Sequence, residues 1–146
     1  MKLVVQRALE SKVEVNNQIV GKIDKGFVVL CGITHDDTEK EADVLARKLC
    51  NLRVFHDENV KMNLSIKDIG GSLLIISQFT LYADSMSSGN RPSFIAAARP
   101  EMAEPLYEYF LKKCEEQNVH VEKGIFGADM KVTITNDGPV TIILEK

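Results

Sequence analysis

The sequence predicts an α+β fold in which a curled antiparallel sheet, barrel-like at its core, carries two long helices. Three observations predict it. Apolar and polar residues alternate over the first third of the chain and again near its C-terminus, which is the period of half-buried strands. Two other stretches, over 37–51 and after 100, space their apolar residues three and four apart, as an amphipathic helix does. A chain of 146 residues, 45% of them hydrophobic, is the size of one domain with a real core. Residues 1–146 are therefore expected to form a single domain, with no linker, repeat or low-complexity tract.

Residues 3–8 and 12–15 have strand character, Asn16-Asn17 offers a turn, and 18–23 continue the meander. Asp24-Lys25-Gly26 turns into Phe27-Val28-Val29-Leu30-Cys31, an apolar run short enough for a strand buried on both faces. Thr38 and Glu41 have the spacing of a capping box. Ala42, Leu45, Ala46, Leu49 and Leu52 follow on one face, so a helix is predicted over 37–51. Residues 53–56 suggest a short strand, and Leu73-Leu74-Ile75-Ile76 a buried one that runs on into Ser77-Gln78-Phe79-Thr80-Leu81-Tyr82. The small, polar segment 83–90 reads as a loop, and Pro92 opens a predicted short helix to 98. A second long helix starts after Pro100 or Pro105, with Ala103, Leu106, Tyr107, Phe110, Leu111 and Cys114 on one face.

Residues 119–121 and 131–144 complete the predicted sheet. In the last stretch Val132 and Ile134, then Val140, Ile142 and Leu144, fall at alternate positions on either side of Asn136-Asp137-Gly138-Pro139. That tetrapeptide has two readings. It turns the chain between two strands, or its proline, which removes a ladder donor and makes a cis peptide accessible, marks a backbone carbonyl aimed at something.

A net charge of −3 and a pI near 5.6 argue against broad electrostatic binding of a nucleic-acid backbone. Any nucleic-acid partner is then gripped locally, and DNA is not an expected partner. Cys31, Cys50 and Cys114 are odd in number, far apart and without a C-x-x-C pair, so they read as reduced core thiols of a cytoplasmic protein. The N-terminal stretch alternates and is charged, unlike a signal peptide, and no run approaches a membrane span. His35, His56 and His120 are scattered, which gives a metal site little support. Gly70-Gly71 lacks the ending of a phosphate loop, and no G-x-G-x-x-G follows a strand, so no nucleotide cofactor is expected.

Ser77 and Thr80 are hydroxyls at the end of a buried strand, where rigid backbone can hold a site. Their flanks, Ile76 and Gln78, are not those of a nucleophilic serine, and hydroxyls that satisfy strand-end backbone groups fit equally well.

Four segments together carry a resemblance: Ser77-Gln78-Phe79-Thr80-Leu81-Tyr82; Gly89-Asn90-Arg91-Pro92-Ser93-Phe94; Gly124-Ile125-Phe126-Gly127-Ala128-Asp129-Met130; and Asn136-Asp137-Gly138-Pro139-Val140-Thr141. In this order they resemble the signature motifs of the D-aminoacyl-tRNA deacylase family, and the likeness runs from Val4 to the C-terminus. The resemblance implies that family's fold and a homodimer acting without metal or cofactor. Its reaction is hydrolysis of the ester between a D-amino acid and the 3′-terminal adenosine of tRNA. It further implies a cis Gly138-Pro139 bond whose backbone enters the active site of the dimer mate, beside Ser77, Gln78, Phe79 and Thr80. There it would accept the amino group of a D-amino acid and reject an L side chain by clash.

The resemblance also implies that the amides around Phe79 and Thr80 stabilise the oxyanion while the adenosine 2′-hydroxyl helps water attack. Ser77, Gln78 and Thr80 would shape the pocket near the terminal ribose and adenine. Nucleophilic attack by Thr80 is the lesser alternative, which retained turnover of Thr80→Ala would sink. Arg7 matches a family position that holds the Gly-Pro carbonyls, although a strand arginine in a surface ion pair has the same signature. Phe126, Ala128 and Met130 would line the pocket, Met130 being equally credible as core packing. The 85–90 loop either covers the tRNA end or is ordinary surface. Two other functions stay open at this level: a relative with a trans Gly-Pro motif that removes small L-amino acids, and a non-catalytic dimer that binds an RNA end or a protein.

Overall fold

The computed structural model describes residues 1–87 and 89–146. Ser88, in the predicted 83–90 loop, lies outside the described residues. The main sheet has five strands: β1 (Lys2–Ala8), β4 (Gly26–Gly32), β7 (Ser72–Ser77), β8 (His120–Lys123) and β10 (Asn136–Glu145), in the order β10-β1-β4-β7-β8. A three-stranded sheet is formed by β2 (Ser11–Val15), β3 (Gln18–Ile23) and β9 (Lys131–Thr133), in the order β3-β2-β9. The short strands β5 (Phe55–His56) and β6 (Met62–Leu64) make a hairpin.

Helix α1 (Glu39–Cys50) lies in the connection from β4 to β7, and helix α2 (Pro100–Glu115) in that from β7 to β8. Both connections join parallel neighbours, which need a long crossover rather than a tight turn. The α+β class and the two helices are as expected. The sheet, however, is neither uniformly antiparallel nor closed into a barrel: β10–β1–β4 pair antiparallel, whereas β4–β7 and β7–β8 are parallel. Strands covered on both faces write continuous apolar runs, and Phe27-Val28-Val29 and Leu73-Leu74-Ile75-Ile76 are such runs, every residue buried.

One face of the main sheet, with Leu3, Val5, Phe27, Val29, Leu73 and Ile75, packs under both helices. The other, with Val28, Leu74 and Ile76, packs against Val13, Ile23, Met130 and Val132 of the second sheet and the approach to it. Thr38 caps α1 as its sequence predicts: its hydroxyl accepts from the Lys40 amide at 3.3 Å while its own amide donates to Glu41 at 2.8 Å. Helix α2 starts at Pro100, and Pro105 is accommodated inside it. All three cysteines are buried free thiols. Among the described residues no helix is long and apolar enough to cross a membrane.

Three local expectations change. The strand predicted to run through 77–82 stops at Ser77, and Phe79–Tyr82 form a 3-10 turn. The predicted helix over 92–98 is absent, because Ser93 pairs with Asp84, the Ala97 amide turns back to Phe94 O, and the end of the segment bonds to the residues just after β4. There the Ala98 amide donates to Ile33 O at 2.9 Å, and the Thr34 hydroxyl donates to Ala96 O at 2.6 Å. Finally, β9 and β10 form no hairpin with each other: β9 pairs with β2 and β10 with β1.

Candidate active site

Strand β7 outlasts its neighbour β8. The pairing with β8 ends at Ile75–Lys123, while β7 continues beside β4 to Ser77. Beyond Lys123 the chain bends away through Gly124, and a Cβ there would run into the Met130 sulfur, so glycine makes room for that side chain. A cavity of about 530 Å³ occupies the space left at the end of β7. Its lining is mostly apolar and includes Ser77, Gln78 and Phe79 from the strand end and Phe126, Ala128 and Met130 from the returning segment. Ala103 and Tyr107 of α2 form a further wall. The Tyr107 hydroxyl donates to Ile75 O at 2.7 Å, and its ring lies 5.8 Å from that of Phe126.

The Gln78 amide still donates to Cys31 O, at 2.8 Å. The next two do not follow it. Entry into the 3-10 turn leaves the Phe79 and Thr80 amides without an acceptor among the described residues, as the first amides of any helical turn are left. Thr80 stands exposed beside the cavity rather than in its lining, and its hydroxyl accepts from Gln78 Nε2 at 2.5 Å. Phe79 is exposed and meets Phe94 edge-on at 5.2 Å.

The titratable groups that line the cavity are Cys31 and Tyr107. Burial pushes the Cys31 thiol up to about 12 and raises Tyr107 as well, so both stay protonated near neutrality. Among the described residues no three His, Cys, Asp or Glu side chains gather as metal ligands would. The cavity therefore offers shape, apolar surface and amide donors rather than an acid–base pair.

Arg7, Gly138 and Pro139 lie elsewhere. Gln6 faces Thr141 across the β1–β10 pairing and Ala8 faces Asn136, so the backbone of 137–140 stands out from the ladder as an arch. The arch contains the cis Gly138–Pro139 peptide, and both residues are exposed. Gly138 has φ 132°, where a Cβ would press on the Val140 amide at 2.9 Å and on Arg7 Nη2 at 3.2 Å. Arg7 is buried beneath the arch, and its Nε donates to Asp137 O at 3.1 Å and pairs with the Asp137 carboxylate at 3.2 Å. Its Nη1 donates to Val54 O at 2.8 Å.

The fold thus brings six predicted site residues, Ser77, Gln78, Phe79, Phe126, Ala128 and Met130, to one cavity and groups three others, Arg7, Gly138 and Pro139, at the arch. Sequence reasoning missed Tyr107, Ala103 and Cys31 as lining, since each carries an ordinary core pattern. It also missed Asp137 as the partner of Arg7, a contact that depends on the arch.

Fold and site define an α+β protein with a largely apolar cavity at a strand end, beside the Phe79 and Thr80 amides that have no acceptor among the described residues. Residues 4–145 match the family model described as D-Tyr-tRNA(Tyr) deacylase, and the chain belongs to that family. It is 57% identical over 145 residues to a D-aminoacyl-tRNA deacylase of Thermus aquaticus, covering 99% of this chain and 95% of that protein. A Brevibacillus brevis protein of the same name is 56% identical, with 99% of each chain covered. A solved structure described as c-Myc DNA Unwinding Element Binding Protein superposes with a TM-score of 0.92 at 42% identity, over 100% of this chain and 99% of that one. Another, described as a probable eukaryotic D-amino acid tRNA deacylase, gives 0.83 at 16% identity, over 98% of this chain and 97% of that one, and so shares the fold.

Proposed function

We propose that the protein hydrolyses D-aminoacyl-tRNA in a site shared by two copies of the chain, the arch of one facing the cavity mouth of the other. Membership of the deacylase family carries the reaction: the chain is a hydrolase that frees a D-amino acid from tRNA. The composite site rests on one observation, the separation of the motif residues within a protomer. Ser77 is level with Cys31, Leu3 and Leu144 across the sheet, whereas the arch begins beside Ala8 at the other end of β1. Three strand spacings and four residues of rise put them on the order of 20 Å apart. A two-fold pair of chains would complete two such sites through one self-complementary interface.

In this reading the ester carbonyl sits against the Phe79 and Thr80 amides, which stabilise the oxyanion as water adds to the carbonyl carbon. The C–O bond to the 3′ oxygen then breaks, and that oxygen leaves with a proton. The cavity's protonated thiol and phenol make poor bases, which favours help from the substrate's own 2′-hydroxyl in positioning the water. Gly138 and Pro139 present backbone to the α-carbon, where a D-amino acid fits and an L side chain collides. Thr80, whose hydroxyl already accepts from Gln78, is no nucleophile in this scheme. The net charge of −3 favours a grip on the tRNA end over extended contact with a duplex, and charged tRNA places the work in the cytoplasm.

Hydrolysis of D- and L-tyrosyl-tRNA tests the reaction, and subunit mixing tests the site. Ala128→Trp fills the cavity and Gly138→Ala disturbs the arch, so each homodimer is expected to be impaired. Mixed dimers are expected to regain turnover, because one of their two sites combines an intact cavity with an intact arch. A site contained in one protomer would gain nothing from mixing.

A further inference from the structure

Arg7 secures only the upstream side of the arch, through the carbonyl and carboxylate of Asp137. Downstream, Pro139 has no N–H to give, so the first donor after it is the Val140 amide. That amide donates to Asn136 Oδ1 at 3.2 Å. The same carboxamide donates through Nδ2 to Thr141 Oγ1 at 3.0 Å, and Gln6 Nε2 approaches that hydroxyl at 3.4 Å from β1. One short side chain thus ties the start of the arch to its end, opposite the face that Arg7 supports.

We infer that Asn136 is a positioning residue for stereochemical selectivity, clasping the arch so that Gly138 and Pro139 stay where an L side chain must meet them. The inference rests on the reading of the arch as the chirality filter. Rejection by clash needs walls held to about 0.5 Å, because backbone that can retreat by more than that admits the wrong enantiomer. With residue 137 anchored and residue 140 released, Gly138 and Pro139 pivot about Asp137. Asparagine suits the task by its reach. Its carboxamide returns to the fourth residue on and still offers a donor to the fifth, and aspartate can keep the first bond while the Thr141 hydroxyl turns to supply the second.

The test measures kcat/KM for D- and L-tyrosyl-tRNA in the full-length protein and in Asn136→Ala, Asn136→Asp and Thr141→Val, with amide hydrogen exchange at Val140. Asn136→Ala is expected to raise cleavage of the L ester relative to the D ester about tenfold. Its Val140 amide is expected to exchange faster while amides of β4 and β7 keep their protection. Asn136→Asp should stay within about threefold of the native ratio, with Thr141→Val between the two. An unchanged D/L ratio in Asn136→Ala overturns the inference, as does a fall in both activities together with a general loss of exchange protection. Native protein that cleaves both enantiomers alike overturns the filter reading itself, and Asn136 loses its role with it. The two failures are therefore told apart by the native ratio.

Discussion

At the scale of single residues, two side chains sit where their chemistry is constrained by what surrounds them. Burial pushes the Cys31 thiol up to about 12, with the Asp37 carboxylate adding to the shift and the Met1 amine opposing it. A thiol that stays protonated through the neutral range is a wall, not a nucleophile. Cys31→Ala is therefore expected to keep kcat within about threefold across neutral pH, with no alkaline limb lost. Steady-state turnover on the D ester checks this. Val60 is the opposite case, a β-branched residue at φ 60° that is 74% exposed, at the tip of the β5–β6 hairpin. Asp57 arranges that tip by accepting from the Asn59 and Lys61 amides at 2.8 and 3.0 Å. Left-handed backbone costs a branched residue about 1 kcal/mol or more, and little burial is lost on replacing it. Val60→Asn is expected to raise Tm by a few degrees in a thermal melt, with the turn unchanged.

At the scale of elements, α1 depends on its cap and the cavity wall on one phenol. The Thr38 hydroxyl, then its backbone amide, hold the Glu41 carboxyl below its ordinary 4.5. A carboxyl lowered in the folded state binds fewer protons there than in the unfolded chain. Its stabilisation is complete above the unfolded value and is lost as pH falls through the lower folded one. Asp57, Asp68 and Asp84, each lowered from 3.8 by hydrogen bonds at turns, act in the same direction. Tm is accordingly expected to fall on acidification below pH 4.5, with Glu41→Gln showing a shallower slope and a lower plateau at neutral pH. Tyr107→Phe removes the bond from α2 to Ile75 O without changing the packed ring. It is expected to cost about 1 kcal/mol, read as a lower denaturant midpoint at unchanged slope.

At the scale of the whole molecule, the three layers put the cavity and the arch at opposite corners of one sheet. The arch belongs to β10, an edge strand whose outer side has no partner among the described residues, and Ile143 on it is 63% exposed. An open edge strand of this length is a place where a further strand can pair. The proposed composite site makes a prediction about substrate that no single residue makes. Glycine has no side chain to strike the arch, so glycyl-tRNA should be cleaved at a measurable rate while L-tyrosyl-tRNA is not. Glycyl-tRNA left intact at high enzyme concentration would remove clash as the basis of selection.

Much of this was legible along the chain, because local physics writes it there. Helix α1, its Thr38–Glu41 cap, the strands β1 to β4 and the buried runs of β4 and β7 follow from periodicity and capping chemistry, whereas the expected meander does not form, because β1 and β4 pair in one sheet and β2 and β3 in the other. The four motifs, in their order along the chain, carry the likeness to the deacylase family. Other features depend on which backbone groups find partners across the fold, and spacing does not encode those. Residues 92–98 spend their hydrogen bonds on Asp84, on a turn of their own and on the residues just after β4, and so never form a helix, and β7 runs two residues past its β8 pairing before the chain turns at Gln78. Parallel and antiparallel pairing of buried strands write the same apolar run, so the mixed sheet emerges only once two helices cross between its strands. The answer to Asn136-Asp137-Gly138-Pro139 is of the same kind. The sequence by itself determined that a proline would interrupt the ladder there. The pairing of Ala8 and Gln6 with residues five apart on β10, with Arg7 beneath, decided that the interruption would project as an arch rather than turn the chain.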